Sequence, residues 1–279
     1  MFCGRGGKGD VSVPQGSGKP ALTVCAGRTG VCCCLQMNLL RRRERARVVI
    51  GFMDIHSHFV YGMDDGAQTK SEMEAMLDAA YADGIAFLYA TPHVTPGVHP
   101  FDEALYRRHL AEARQYCWEK QYYMRLYAGA EVMYTPAMER YAAQKRLPTL
   151  GDTHRVLMEF TPRIPFREME AAARLLEDAG YRLVVAHMER YACLAQGQNA
   201  RRLRDGHAVS YQVNTSSVIG GRGFLSDRRL TGWLQEGLID FVASDAHDCR
   251  CRPYQMRAAY HALREQCTRA YARRVTGLI

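Results

Sequence analysis

Apolar stretches of five to nine residues alternate with longer amphipathic stretches from about residue 52 onward. The first amphipathic stretch opens with a capping box, Thr69 with Glu72, and reaches a terminal glycine at Gly84. The helical periodicity predicts helices at 69–84, at about 102–121, at about 167–179 and from Pro253 onward. The apolar stretches predict seven strands, at 52–56, 85–91, 124–132, 155–160, 182–187, 209–214 and 239–244.

This order of elements predicts the fold class. Strands that alternate with helices are typical of a parallel α/β sheet. Seven such units favour a closed or nearly closed, distorted TIM-like (β/α)7 barrel, and residues 53–279 are numerous enough to form one as a single domain. In such barrels the chemistry collects at the C-terminal ends of the strands.

The first 52 residues differ from the rest of the chain. They contain the stretches GRGGKGD, GSGKP and CCCL, and they show neither helical nor strand periodicity. They also lack the apolar region of a signal peptide and the length of a membrane span, so no stable membrane insertion is expected. We expect residues 1–52 to be a disordered extension, and we interpret Met53 as a candidate for the true translation start.

Charge and cysteine content divide along the same boundary. The net charge of +8 comes mostly from residues 1–52, with nine Lys and Arg against two acidic residues, while residues 53–279 hold 28 basic and 27 acidic residues. A nearly neutral domain lacks the basic face of a nucleic-acid-binding protein. Five of the ten cysteines lie in the first 34 residues and five are scattered, which predicts no disulfide framework and favours a reducing, cytoplasmic environment.

Metal-ligand side chains recur at the ends of the predicted strands. His56 and His58 follow the first strand, and because residues i and i+2 of a strand share a face, their imidazoles are expected to project together. Asp245 and His247 repeat this spacing after the last strand. The intervening strand ends supply His93, Glu131, Glu159 and His187. Each residue alone could be a surface charge or a capping residue. Their recurrence at the ends of successive strands, however, predicts a hydrolase that uses manganese, iron or zinc.

The motifs that carry these residues resemble the PHP superfamily and, within it, the bacterial tyrosine phosphatases that accompany capsule and exopolysaccharide kinases. The resemblance covers about residues 53–260, through MDIHSHFVYGMDDGA, ATPH, GAEV, LMEF, AHMERY, QVN and GLIDFVASDAH. It implies a PHP-type barrel that holds two to three divalent metal ions, with manganese favoured. The implied ligands are His56, His58, Glu131 and Asp245 for one metal, Glu131 as a bridge to a second metal held by Glu159 and His187, and Asp65, His93 and His247 for the third.

The reaction that this resemblance implies is phosphotyrosine hydrolysis. Divalent cations acidify a bound water, which attacks phosphorus. Arg190 and Arg252 are implied to bind the phosphoryl oxygens, because a guanidinium group binds two oxygens at once. Phe59, Tyr61 and Tyr134 are candidates to line a slot for the substrate ring. The implied partner is the phosphotyrosine tail of a bacterial tyrosine kinase that controls polysaccharide export.

Other functions stay open at this point. Histidinol-phosphate phosphatases share the PHP ligand set, and some PHP modules of polymerases serve as scaffolds, although the complete ligand set argues against a degenerate site. Cys251 and Arg257 satisfy the Cys-x5-Arg spacing of cysteine-dependent tyrosine phosphatases. The residues between them, RPYQM, lack glycine and include a proline without an amide donor, which argues against that mechanism. The sequence leaves open whether the protein forms an oligomer.

Overall fold

The structure, a computed structural model, describes residues 51–220 and 224–278. The predicted extension over 1–52 lies outside these residues, apart from Gly51 and Phe52. The strands are β1 (Phe52–Asp54), β2 (Ile85–Ala90), β3 (His93–Val94), β4 (Arg125–Ala128), β5 (Glu131–Met133), β6 (Arg155–Glu159), β7 (Arg182–Val185), β8 (Ser210–Asn214) and β9 (Phe241–Ala243). The α-helices are α1 (Lys70–Asp83), α2 (Glu103–Glu119), α3 (Met138–Ala143), α4 (Phe166–Asp178), α5 (Asn199–Gly206), α6 (Thr215–Ile219), α7 (Phe224–Gln235), α8 (Met256–Gln266) and α9 (Arg269–Val275).

The strands pair in parallel throughout the part of the chain that the structure describes. One sheet has the order β1-β2-β4, and the other has the order β3-β5-β6-β7-β8-β9. Only Thr91 and Pro92 separate β2 from β3, and only Gly129 and Ala130 separate β4 from β5. Because proline has no N–H for the ladder, the first break has a local cause. With each broken pair counted as one strand, the described residues contain the seven predicted strands.

The sheet curls until its first and last strands meet. Just beyond β1 and β9, Ser57 and Ala246 form an isolated parallel bridge. The amide of His58 donates to the carbonyl of Ala246, and the amide of Asp245 donates to the carbonyl of His56, each over 2.9 Å. This closure places the two histidines of the first strand beside the ligand candidates of the last strand.

Helices cover the outer face of the sheet with apolar stripes. In α4, Met169, Ala172, Ala173 and Leu176 are buried, which is the i, i+3, i+4, i+7 spacing of one helix face. Full burial of one such leucine stabilises the fold by about 1.5–3 kcal/mol. A smaller apolar cluster that includes Leu157 lies apart from this main core. The barrel strands therefore contribute to two apolar clusters, and the side chains at their C-terminal ends are polar.

The predicted helix boundaries agree with the structure where local chemistry marks them. The capping box of Thr69 and Glu72 is present, and Gly84 ends α1 with φ 89°. The predicted C-terminal helix begins three residues later than expected, at Met256, and divides into α8 and α9. The shorter helices α3, α5 and α6 were not individually predicted. Within residues 51–220 and 224–278, none of the helices has the length and apolarity to cross a membrane.

Candidate metal centre and active site

The barrel brings the nine predicted ligand residues together at the C-terminal ends of its strands. The structure forms three groups of side chains whose ligand atoms lie within 4.8 Å of one another. The segments that follow β1 and β9 contribute to them, as do the strands β3, β5 and β6. The first group is His56, His58, Glu131 and Asp245, the second is His93, Glu131 and Glu159, and the third is His58, Asp65, His93 and His247.

The first group has the composition that the sequence predicted and is fully buried. Nε2 of His56 lies 3.2 Å from Nε2 of His58 and 3.1 Å from Oε2 of Glu131. Oδ1 of Asp245 lies 3.4 Å from Nε2 of His56 and 3.6 Å from Nε2 of His58. Two imidazole nitrogens and two carboxylates therefore face one common point.

The second group shares Glu131 with the first. Oε1 of Glu131 lies 2.8 Å from Nε2 of His187, and Oε1 of Glu159 lies 3.6 Å from the same nitrogen. His93 also approaches Glu131, with its Nδ1 3.2 Å from Oε2. The structure thus adds His93 to the neighbourhood of Glu131 and Glu159, where the sequence had placed only His187.

The third group lies nearer the surface. Oδ1 of Asp65 lies 3.4 Å from Nε2 of His93 and 3.3 Å from Nε2 of His247. The Asp65 side chain is 64% exposed, whereas His247 is buried. The ring centroids of His58 and His247 lie 3.8 Å apart, so the first and third groups are in contact.

The donor chemistry of the three groups fits divalent transition metals. Imidazole and carboxylate groups suit manganese, iron and zinc, and no cysteine belongs to any of the groups found among the described residues. Nε2 of His247 is buried and makes no hydrogen bond within the part of the chain that the structure describes. A buried ring nitrogen of this kind has an unused lone pair or proton that a metal ligand role would satisfy.

Charges within the cluster shift its pKa values in the direction expected of a site built for cations. Burial lowers the pKa of His58, but Asp64 and Glu131 outweigh it and raise the pKa to about 10. Burial raises the pKa of Glu131, but His56 and the hydrogen bond from His187 bring it well below its usual range. The raised pKa values of His56 and His58 favour protons on these two rings that balance the carboxylates, and metal binding would displace such protons.

His247 behaves differently from His58. Burial and the positive charges of His58 and Arg252 lower the pKa of His247 to about 4. Its imidazole is therefore neutral at pH 7, which is the form that binds a metal.

Several residues that the sequence analysis did not single out orient the candidate ligands. Nδ1 of His58 lies 2.6 Å from Oδ2 of Asp64, and Nδ1 of His56 lies 3.2 Å from Oε1 of Gln212. The hydroxyl of Tyr191 lies 3.2 Å from Nδ1 of His187. These contacts turn the Nε2 atoms of the three histidines toward the cluster. In the sequence, only the position of Asp64 next to Asp65 in GMDDGA could have pointed to its role. The roles of Gln212 and Tyr191 are visible only in the folded structure.

Two of the candidate ligands have unusual backbone conformations. His187 has φ 31° and Asp245 has φ 55°, in the left-handed region that non-glycine residues rarely adopt. Each residue lies two positions beyond the end of a barrel strand, β7 for His187 and β9 for Asp245. Backbone strain of this kind persists where the surrounding structure fixes the side chain for a function.

The two predicted phosphate-binding arginines meet at one carboxylate. Nη2 of Arg190 lies 2.7 Å from Oδ2 of Asp245, and Nη2 of Arg252 lies 2.8 Å from the same oxygen. Nδ2 of Asn214 donates to it as well, over 2.8 Å. The arginine side chains are 29% and 38% exposed, so part of each guanidinium group faces solvent at the rim of the cluster.

The aromatic residues considered for a substrate slot differ in exposure. Phe59 is fully buried, so its interpretation as a slot-lining residue is wrong. Tyr61 is partly buried and stacks on His109 with ring centroids 3.7 Å apart. Tyr134 is partly buried and packs against Phe160. The role of these two tyrosines toward a substrate stays a prediction.

The Cys-x5-Arg spacing does not build a phosphate cradle here. Cys251 is exposed, but the Arg257 guanidinium donates to the carbonyl oxygens of Ala82 and Asp83 at the C-terminal end of α1. The arginine therefore caps a helix, and the structure favours the metal-ligand cluster over the cysteine as the centre of the chemistry.

The fold and the cluster together define a class of protein, namely a parallel α/β barrel with a candidate multinuclear metal centre at its C-terminal strand ends. Within this class, the chain belongs to the CpsB/CapC family of capsular polysaccharide synthesis, whose profile matches residues 52–277. The match confirms the family resemblance drawn from the sequence motifs.

Relatives with known names or structures agree with this assignment. The chain is 29% identical over 215 residues to the tyrosine-protein phosphatase CpsB of Streptococcus pneumoniae, which covers 75% of this chain and 88% of the relative. It is 28% identical over 218 residues to the tyrosine-protein phosphatase YwqE of Bacillus subtilis, covering 77% and 84%.

A solved structure gives the same relationship in three dimensions. It comes from crystallographic work on YwqE from Bacillus subtilis and CpsB from Streptococcus pneumoniae, described as unique metal-dependent tyrosine phosphatases. It matches with a TM-score of 0.73 at 28% identity, over 81% of this chain and 91% of that chain. The predicted fold class is thereby confirmed.

Proposed function

We propose that this chain is a metal-dependent protein tyrosine phosphatase, which hydrolyses the phosphate monoester of phosphotyrosine. One observation carries the proposal, namely that the two carboxylate oxygens of Asp245 face different groups. Its Oδ1 faces His56 and His58, while its Oδ2 accepts from Arg190 and Arg252. A metal site and a pair of phosphate-binding groups therefore adjoin through one carboxylate. The names of the curated relatives support the same reaction.

In this proposal the three groups of ligands hold two to three divalent ions, with manganese favoured and iron or zinc as alternatives. Glu131 would contribute its carboxylate to more than one of these ions, because His56, His93 and His187 all approach its oxygens within 3.2 Å. When bound, such ions supply an acidified water as the nucleophile and neutralise negative charge on the phosphoryl group.

The arginines bind the phosphoryl oxygens in this mechanism. Each guanidinium group has five N–H donors, and Asp245 takes only one short contact from Arg190 and one from Arg252. The remaining donors at the exposed rim are available for a phosphate. Anchoring to Asp245 reduces the conformational entropy that each arginine loses when the substrate binds.

The leaving group explains the preference for tyrosine. The phenol of tyrosine has a pKa of about 10, so phenolate departs with little proton donation, whereas the alkoxide of serine needs a general acid. The candidate acid nearest the surface, Asp65, is 64% exposed and lies between His93 and His247. It is better placed as a ligand than as a buried proton donor.

We further propose that the substrate is the phosphotyrosine tail of a bacterial tyrosine kinase that controls polysaccharide export, and that the reaction occurs in the cytoplasm. Ligands at the ends of barrel strands leave the site open to an extended, disordered segment. The five cysteines of the described residues are all free, which agrees with a reducing compartment.

The test compares three substrates with metal-loaded, full-length protein. We expect hydrolysis of a phosphotyrosine peptide from such a tail to exceed that of the matched phosphoserine peptide by at least about tenfold, and we expect a chelator to abolish both. Glu159→Gln should lower the rate, while Glu119→Gln, an exposed carboxylate at the end of α2, should not. A much higher kcat/KM for histidinol phosphate would replace the proposed function with the alternative PHP activity.

A further inference from the structure

A cavity of about 910 Å³ lies between α2 and the segment that follows α3. None of the nine candidate metal ligands lines it. Val94 is a lining residue, however, and it directly follows the candidate ligand His93 in β3. The loop after β3 forms one wall through Pro96, Pro100 and Phe101. Loops that follow barrel strands surround the active site, so a peptide bound at the metal centre can continue over this loop. The volume is within the range of ligand-binding pockets.

The charge of this cavity is strongly unbalanced. Its lining includes four basic side chains and a single carboxylate, Glu103. Oε1 of Glu103 already pairs with Nη2 of Arg107 over 2.6 Å. Arg114 and Arg146 pair with no carboxylate among the residues that the structure describes. The cavity therefore concentrates positive charge in a domain that is nearly neutral overall.

The basic residues come from two walls. Arg107 and Arg114 lie seven positions apart, on one face of α2. Lys145 and Arg146 come from the opposite segment, after α3. Lys145 donates to the carbonyl of Ala179 and has a structural role. Nε and Nη2 of Arg107 donate to Glu103, and Nε and Nη2 of Arg114 donate to the carbonyl of Leu126, whereas Arg146 makes only a weak 3.3 Å contact with Gln144 through Nη1. Because a guanidinium group has five N–H donors, each arginine keeps donors for a ligand, and Arg146 keeps the most.

Aromatic rings accompany these guanidinium groups. The Arg146 guanidinium lies 5.2 Å from the ring centroid of Tyr141. Phe101 packs against Tyr106, whose buried hydroxyl lies 3.0 Å from the carbonyl oxygen of Ala90 and 3.1 Å from that of Gly129. Ring faces beside arginines suit a ligand that combines an aromatic ring with a dianionic phosphate.

We propose that this cavity binds a second phosphotyrosine of the same substrate chain while another phosphotyrosine occupies the metal centre. The inference rests on the proposed function, because it assumes a phosphotyrosine peptide as the substrate. Its consequence is a preference for peptides that carry more than one phosphotyrosine. The arginines of the cavity act in substrate binding, and they are distinct from Arg190 and Arg252 at the metal centre.

The test measures binding separately from hydrolysis. Fluorescent peptides carry one or two residues of a phosphonate analogue of phosphotyrosine, which the enzyme cannot hydrolyse, with the spacing between the two residues varied. Fluorescence anisotropy with metal-loaded, full-length protein gives the ratio of the two affinities. We expect the doubly substituted peptide to bind at least about tenfold more tightly at the best spacing, because a charge-assisted contact is added.

Variants then assign the preference to the cavity. Arg107→Ala/Arg146→Ala should reduce the affinity ratio to near one, and the corresponding double lysine variant should restore part of it. Arg108→Ala is the matched control, because Arg108 is exposed on the same helix and does not line the cavity. Melting temperatures of all variants show that they are folded.

Two results would overturn the inference. One is a wild-type protein that binds both peptides equally at every spacing, and the other is a double alanine variant that weakens both peptides by the same factor. Failure of the proposed function has a different signature, namely no hydrolysis of any phosphotyrosine peptide by the wild type, whatever the binding ratio.

Discussion

Oδ2 of Asp64 lies 2.6 Å from Nδ1 of His58 and also accepts the backbone amide of His93 over 2.9 Å. One buried carboxylate oxygen thus fixes a candidate ligand from the first strand and the backbone of a second candidate ligand. The adjacent Asp65 faces the third group of ligands. The two consecutive aspartates therefore have different tasks, one that orients and one that is proposed to bind metal.

Asp64→Asn should weaken metal binding by about 10–100-fold, which is the usual cost of losing a carboxylate that orients a histidine ligand. The amide keeps the size of the side chain but loses the charge that holds the proton on Nδ1 of His58. Competition with a chromophoric chelator measures the affinity. Asp152→Asn, in an exposed turn, is the control. Equal affinities for wild type and Asp64→Asn would contradict an orienting role.

Glu131→Gln should lose more metal than Asp65→Asn. Glu131 contacts His56, His93 and His187 within 3.2 Å, so its loss disturbs two of the ligand groups. Asp65 is largely exposed and belongs to one group. Elemental analysis of manganese-supplemented preparations gives the metal content per chain. The bridging assignment fails if Asp65→Asn releases as much metal as Glu131→Gln.

Arg190→Ala should lower kcat/KM for a phosphotyrosine peptide by about tenfold or more without loss of metal. The reason is that Oδ2 of Asp245 keeps two partners, Arg252 and Nδ2 of Asn214, so its Oδ1 stays directed at the histidines. Steady-state kinetics and metal analysis are run on the same preparation. Metal loss in proportion to activity loss would give Arg190 a structural role instead.

A surface contact far from the metal centre predicts a pH effect on stability. Burial raises the pKa of Glu177, but the amide of Ala208 and the contact with Nδ1 of His207 at 2.7 Å outweigh it and lower the pKa. A lowered carboxyl pKa stabilises the fold above the unfolded-state pKa of about 4.3, and this contribution is lost as the pH falls through the folded-state value.

Glu177→Gln should therefore cost about 0.5–1 kcal/mol at pH 7, a modest value because the side chain is partly exposed. The difference from wild type should shrink as the pH is lowered from about 5 toward 4. Urea unfolding at several pH values measures it, with the exposed Glu168→Gln on the same helix as control. A difference that stays constant with pH would show that ionisation of Glu177 is not its source.

The sequence predicted those features that depend on local chemistry. The helix over 69–84 was predictable because Thr69 and Glu72 cap its start and Gly84 allows its end. The ligand candidates were predictable because strand order alone brings the C-terminal strand ends to one face. The break between β4 and β5 was not, since the apolar pattern of 124–132 continues across Gly129.

Contacts between distant parts of the chain could not be predicted from the sequence. Gln212 lies inside an apolar strand and contacts His56, which is 156 positions away. Arg190 and Arg252 were predicted to serve the phosphate, but their shared anchor on Asp245 depends on how the turns after β7 and β9 meet. Such pairs are set by packing of the whole barrel, and no spacing in the sequence encodes them.

Metal removal and cysteine substitution should have opposite consequences for the two phosphatase mechanisms. We expect a chelator to abolish phosphotyrosine hydrolysis, manganese to restore it, and Cys251→Ser to retain wild-type activity. The thiol route needs an arginine and backbone amides around one phosphate, yet Arg257 caps α1 and Pro253 has no amide proton. Steady-state assays on both preparations decide the question. Activity that survives chelation but disappears in Cys251→Ser would move the reaction from the metal cluster to the cysteine.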